Sequence, residues 1–149
     1  MKREHLYTHR LKWTGDSVDT SIQNDRLYAV SIEGKPVIKG SADKVFHGDG
    51  SLYNPEDMLL AALGSCHMMS FFYVCRKKGL RVSSYEDNPV GVLKLNNDGS
   101  GQFTKVSLRP KVELLVELDK TELISLHKEA GKLCFIANSC AFDIFYEPQ

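Results

Sequence analysis

The chain lacks an excess of charge of either sign: its 149 residues carry 19 Lys and Arg against 19 Asp and Glu. That balance removes the electrostatic basis for general nucleic-acid binding and for adsorption to a membrane surface. It also leaves little mutual repulsion between copies, so a closed oligomer is expected. The start, Met1-Lys2-Arg3-Glu4-His5, is basic but leads into no apolar run, so no export signal is expected and the chain is assigned to the cytoplasm. The nearest thing to a membrane span, Met58 to Cys75, falls just below the usual length and carries Gly64, Ser65, Cys66 and His67 at its centre. It reads as a buried core helix, not a membrane element. Glycine-rich phosphate loops, dinucleotide fingerprints, repeats, low-complexity tracts and linkers are all missing, so no cofactor is expected and residues 1–149 read as one domain.

What is present is an ordinary globular composition, 42% hydrophobic and 26% charged. The first third predicts strands at His5 to Trp13, Arg26 to Ile32 and Val37-Ile38. Thr14-Gly15-Asp16 is expected to turn, and Glu33-Gly34-Lys35-Pro36 to make a hairpin connection. A polar, glycine-rich loop from Gly40 to Tyr53 then leads into the clearest element. Asn54 suits an N-cap, Pro55 the first helical position, and Glu56-Asp57 the positive end of the dipole. Arg76-Lys77-Lys78 and Gly79 close it. The helix between them has about 24 residues, roughly 36 Å at 1.5 Å per residue, and is apolar on every face. Burying such a helix all round takes more material than one copy holds, and a second subunit would supply it.

Beyond Gly79 the pattern predicts strands at Arg81 to Tyr85, Gly91 to Leu95 and Phe103 to Leu118, with turns at Pro89 and Asn97-Asp98-Gly99. Thr121 to Leu133 has helical spacing with Asp119 as its cap, and Phe142 to Tyr146 is expected to close the sheet. The fold class is therefore α+β: strands, a central helix, strands, then a C-terminal helix.

Four cysteines are the residues most able to carry chemistry. In a reducing compartment a disulfide is more often catalytic than structural. Cys66 and Cys75 are nine residues apart on one helix and point to opposite faces, and Cys134 and Cys140 face apart if their segment is helical. Cys66 with Cys134 is unrestricted by local geometry. Each thiol also has the ordinary reading of a small buried apolar residue, and Cys75 and Cys140 are left there. His67 adjoins Cys66 but diverges from it by about 100° of helix, and His127 lies two turns before Cys134. Both histidines read as core or core-edge residues. Cys66, His67, Cys75, His127, Cys134 and Cys140 show no metal-ligand spacing, so no metal is expected.

The run from Asn54 to Met68, NPEDMLLAALGSCHM, resembles the central-helix motif of the OsmC/Ohr family of osmotically inducible and organic hydroperoxide resistance proteins. Trp13-Thr14-Gly15, Gly48-Asp49, the basic exit from Arg76 to Leu80 and the segment from His127 to Ser139 are similar to further family motifs, in the same order. The resemblance implies an OsmC/Ohr-like antiparallel sheet around a long buried central helix, an intertwined homodimer, and sites at the subunit interface. It implies a thiol peroxidase acting on organic hydroperoxides and less well on hydrogen peroxide, with Cys66 attacking and Cys134 resolving. A lipoyl protein or thioredoxin-like dithiol would be the reductant. The family's glutamate falls on Glu56 and its arginine on Arg26, with Arg10 the alternative. Phe135 departs from the proline that follows the second cysteine in the Ohr branch, which favours the broader OsmC-like branches. A thiol redox sensor and a non-catalytic dimeric protein binding an apolar ligand are the competing readings on the same scaffold.

Glu56 and Cys66 are ten residues apart, about 15 Å of helix, so one subunit is not expected to bring them together. Two copies of the helix packed antiparallel and crossing near Ala61 would set Glu56 of one level with Cys66 of the other.

Overall fold

A computed structural model of the chain describes residues 3–14 and 26–149. Its contacts gather the chain into two compact units, Met1–Met58 and Leu59–Gln149, with the division inside the first turn of the long helix.

The first unit is built on a three-stranded antiparallel sheet, β1 (Arg10–Lys12), β2 (Tyr28–Ser31) and β3 (Ile38–Gly40), paired in that order. The predicted hairpin between β2 and β3 is present, closed by the Lys35 N–H donating to the Ile32 carbonyl at 3.1 Å. Of the predicted turn after Trp13, Gly15 and Asp16 lie outside the described residues. The loop that follows carries a 3-10 turn at Lys44–Phe46, capped by the Asp43 carboxylate accepting from the Val45 N–H at 2.8 Å. Asn54 then opens α1 (Pro55–Lys77) as the sequence predicts: its side-chain oxygen accepts from the Asp57 N–H at 2.8 Å, and Asp57 accepts from the Asn54 N–H at 3.2 Å. The two orphan donors are satisfied reciprocally, which fixes where the helix starts.

In the second unit α1 ends at Gly79, whose φ of +71° is the left-handed conformation glycine adopts most cheaply. The Leu80 N–H reaches back to the Cys75 carbonyl at 2.9 Å and closes the helix. The strands are β4 (Val82–Glu86), β5 (Val90–Leu95), β6 (Gly101–Leu108), β7 (Lys111–Leu114) and β8 (Asp143–Tyr146). They form two sheets: β4 with β7 antiparallel, and β5-β6-β8, in which β5 and β6 are antiparallel and β6 and β8 parallel. The sequence pattern predicts one strand from Phe103 to Leu118. The structure breaks it at Arg109-Pro110, because proline has no N–H to give a ladder. The Arg109 N–H goes to the Asp87 carboxylate at 2.7 Å, and the chain changes sheets there.

Helix α2 (Lys120–Leu133) begins with a capping box between Asp119 and Glu122, and a four-residue helix, α3 (Phe135–Asn138), follows directly. Two core clusters result. One gathers Phe71, Val74, Cys75, Leu126 and Ala130. The other gathers Leu63, Val106, Leu108 and Cys134, with Cys66, Phe103, Ile136 and Tyr146 against it.

The sequence predicts a helix buried on all sides, and one copy does not achieve it. The buried residues of α1 are Leu63, Gly64, His67, Phe71, Val74 and Cys75, a single stripe at helical spacing. Ala61, Ala62, Ser65, Met69 and Tyr73 on its other faces are exposed. By length and composition alone α1 could cross a membrane, and 28% of its most apolar window is buried within the chain.

Candidate active site

Cys66 lies midway along α1 on the edge of its buried stripe and is half-buried. Its place there follows from spacing: Leu63 and His67 are on the buried face, and Cys66, three residues after the first and one before the second, falls just beyond the Leu63 edge of it. Cys134 is the hinge between α2 and α3, serving as C-cap of the first and N-cap of the second. Its Sγ accepts the Ala137 N–H at 3.4 Å, and its thiol is fully buried. The structure packs Cys66 against the cluster that holds Cys134, close enough for each thiol to act on the other, and both are free. Cys66 with Cys134 is one of the four pairings that local geometry leaves open.

Burial, with a smaller contribution from Cys66, pushes the Cys134 thiol up to about 11 against the opposing pull of the Ala137 N–H. Cys134 is thus a protonated thiol at neutral pH. The surroundings are apolar: Leu60, Leu63, Phe103, Phe142 and Ile144 pack in the same cluster.

Glu56 is half-buried on the first turn of α1, ten residues of helix before Cys66 and about 15 Å by helical rise. Its near neighbour is the Tyr28 phenol, which burial raises first and the charges of Glu56 and Asp57 raise further. Arg26 is exposed two residues before β2, and Arg10 is exposed on β1 opposite Ser31. Both arginines and Glu56 belong to the first unit, and the two cysteines belong to the second.

Of the apolar residues flanking Cys66, Leu63 and Phe71 are plain core, with no exposed surface. Met68 and Phe72 line a cavity of about 620 Å³ near the exit of α1, together with Cys75, Arg76 and Tyr85. Cys75 is buried in the other cluster and its thiol is pushed up to about 11 by burial alone. Cys140, after α3, is half-buried and raised for the same reason.

The sequence reading treats His67 and His127 as separate core residues. The structure buries both completely and joins them, His67 Nε2 to His127 Nδ1, at 3.0 Å. His67 falls in a helix predicted to be apolar on every face and His127 beside the apolar spacing of its helix, which signals their burial. Nothing in either stripe signals that the two would meet.

The OsmC-like protein family model matches residues 48–146. A solved OsmC-like protein of unknown function from Vibrio cholerae is similar with a TM-score of 0.81 and 30% identity, covering 97% of this chain and all of that one. The organic hydroperoxide resistance protein OhrB of Bacillus subtilis shares the fold, with a TM-score of 0.71 at 17% identity and coverage of 97% and 100%. An uncharacterized protein of Bacillus subtilis (strain 168), YmaD, is 23% identical over 139 residues, 91% of this chain and 87% of its own. Both cysteine-bearing helical segments fall inside the matched stretch, and the chain belongs to the OsmC-like family.

Proposed function

We propose that the chain is a thiol-dependent peroxidase that reduces organic hydroperoxides, and hydrogen peroxide less well, to the corresponding alcohol or water. The observation that carries the reading is the contact between a half-buried Cys66 and a fully buried Cys134, both reduced. A group that must meet a peroxide needs some access, and a group that acts only on the first thiol needs none. The hydroperoxide resistance proteins that share the fold support the substrate class.

The Cys66 thiolate attacks the distal peroxide oxygen. The O–O bond breaks, the alkoxide leaves as alcohol after taking a proton, and Cys66 is left as a sulfenic acid. The Cys134 sulfur then attacks the Cys66 sulfur, water leaves, and a disulfide forms. An external dithiol, from a lipoyl protein or a thioredoxin-like protein, supplies two electrons and two protons to restore both thiols. The apolar cluster around the thiols suits an organic tail better than water.

Mid-helix, Cys66 gains nothing from the helix termini, so a cation must hold its thiolate. Arg26 is assigned that role, with Arg10 the alternative, and Glu56 orients the arginine through a bidentate pair. Glu56 and Cys66 are too far apart along one helix to share a site, so the reading requires a homodimer in which the partner subunit completes each site. The exposed apolar face of α1, with Met69 at 61% and Tyr73 at 51% exposure, is the surface such a dimer would cover.

Peroxide consumption with excess dithiol tests the reading, comparing an organic hydroperoxide with hydrogen peroxide for wild type, Cys66→Ser and Cys134→Ser. Turnover that vanishes in the first variant, and stalls after about one cycle in the second, supports it. Equal slow rates in all three sink it.

A further inference from the structure

The thiol pair is bordered by a second pair that the peroxidase chemistry does not use. His67 follows Cys66 on α1, and His127 stands two turns before Cys134 on α2. Their hydrogen bond at 3.0 Å links the two helices beside the thiol contact. The Tyr146 ring of β8 stacks on His67 at 4.8 Å, and the Phe71 ring of α1 stacks on His127 at 4.2 Å. We infer that His67 and His127 are positioning residues: their shared proton clamps α1 to α2 and so holds Cys66 against Cys134 for disulfide formation. This rests on the proposed two-cysteine reading.

A histidine pair at this distance has one proton between its rings, donated by either nitrogen. The outer nitrogens, His67 Nδ1 and His127 Nε2, are buried without a hydrogen-bond partner among the described residues. A proton added to the pair leaves the bridge in place but buries an unpaired charge, and a second sets two N–H groups against each other. Burial holds His67 down at about 4, and burial with the charge of His67 holds His127 down at about 3. The titratable groups facing the pair are Tyr146 on β8 and Tyr85 on β4, whose ring is 6.5 Å from that of His127; the Cys134 thiol acts on the first and the Asp87 carboxylate on the second. Among the described residues no carboxylate is hydrogen-bonded to either imidazole. The clamp is closed at neutral pH and opens with acid.

The space around it is also tight. A Cβ placed on Gly131 of α2 would fall on the Tyr146 hydroxyl. The ring that stacks on His67 is thus pressed against the helix that carries His127 and ends at Cys134.

The test is the equilibrium of the full chain with oxidised and reduced dithiothreitol, in which two electrons and two protons pass from Cys66 and Cys134 to the reagent's disulfide. That equilibrium reads how firmly the protein holds the two sulfurs together, and it requires no peroxide. At pH 7, His127→Phe is expected to shift it at least tenfold toward the dithiol, whereas His127→Gln, which keeps a hydrogen-bonding group, stays within threefold of wild type. The wild-type to His127→Phe ratio is expected to hold down to about pH 4 and to collapse toward one as the second proton binds near pH 3. A ratio near one at pH 7, one that does not change with pH, or a wild type that forms no Cys66–Cys134 disulfide would overturn the inference. Should His127→Phe fail to fold, imidazole ¹⁵N shifts of wild type decide instead. The accepting ring nitrogen of the bridge must take up its own proton over the same pH range in which the disulfide equilibrium weakens, and one change without the other overturns the clamp. A chain that behaves as expected here but consumes no hydroperoxide would overturn the peroxidase reading alone.

Discussion

Each of the two core clusters contains one fully buried cysteine, and the two cysteines differ in the partners they meet. Cys75 packs against Phe71, Val74, Leu126 and Ala130, and burial alone raises its thiol. Cys134 has an N–H aimed at its sulfur and a second thiol in contact with it. Burial does not separate a packing cysteine from a chemical one, since both thiols stand near 11. Partners do. A thiol that touches another thiol at the junction of two helices has a reaction open to it, and a thiol among aliphatic and aromatic side chains does not.

The sharpest way to break that comparison is to exchange the cysteines one at a time. Cys66→Ser is expected to lower hydroperoxide turnover by about a thousandfold or more, as loss of a nucleophile does. Cys75→Ala is expected to leave turnover within about threefold, and an equal fall in both, read as initial peroxide consumption, would erase the distinction. Next in size is Phe71, which belongs to the Cys75 cluster and stacks on His127. Phe71→Ala is expected to cost about 3–5 kcal/mol in urea unfolding, through lost contacts and the cavity left behind.

Acid should weaken the His67 side of the molecule by a comparable amount. A buried base whose folded value lies at about 4, against 6.5 unfolded, takes up its proton more readily in the unfolded chain. Stability is then full above about pH 6.5 and falls as pH drops toward 4, by about 3 kcal/mol for that histidine at 1.36 kcal/mol per pH unit. Unfolding midpoints measured from pH 7 to 4 should show the loss, and His67→Phe should flatten it. Smallest is the cap of α2. Asp119→Ala is expected to cost about 1 kcal/mol in unfolding without altering turnover, because its box with Glu122 is exposed and remote from the thiols.

The local devices were the legible part of the fold. Asn54, Pro55 and Gly79 mark the ends of α1 within one or two residues, and Asp119 marks the start of α2, because a cap is satisfied by groups three or four positions away. Partners distant in the chain were not legible. The parallel pairing of β6 with β8 and the meeting of His67 with His127, sixty residues apart, are decided by which faces pack, and no short window contains that information. The Cys66–Cys134 contact stood between these cases. Spacing excluded two of the rival pairs, but only the family resemblance singled out these two cysteines as partners. That one copy cannot bury α1 on every face was legible from length and composition, but which stripe the copy does cover was not, because composition records how apolar a helix is and not which face packs.

The break at Arg109-Pro110 bears on how the molecule behaves among copies of itself in a crowded solution. Unbroken, Phe103 to Leu118 would be a sixteen-residue ribbon rich in valine and leucine, the sort of long edge along which other chains add strands. Pro110 divides it. The first half becomes β6, with β5 on one side and β8 covering the other from Lys105 to Leu108, so its apolar end offers no free edge. The second half becomes β7, four residues long, with Lys111 and Glu113 exposed and β4 its one partner among the described strands. One residue without an N–H thereby turns the stretch most prone to templated aggregation into a covered strand and a short, charged stub.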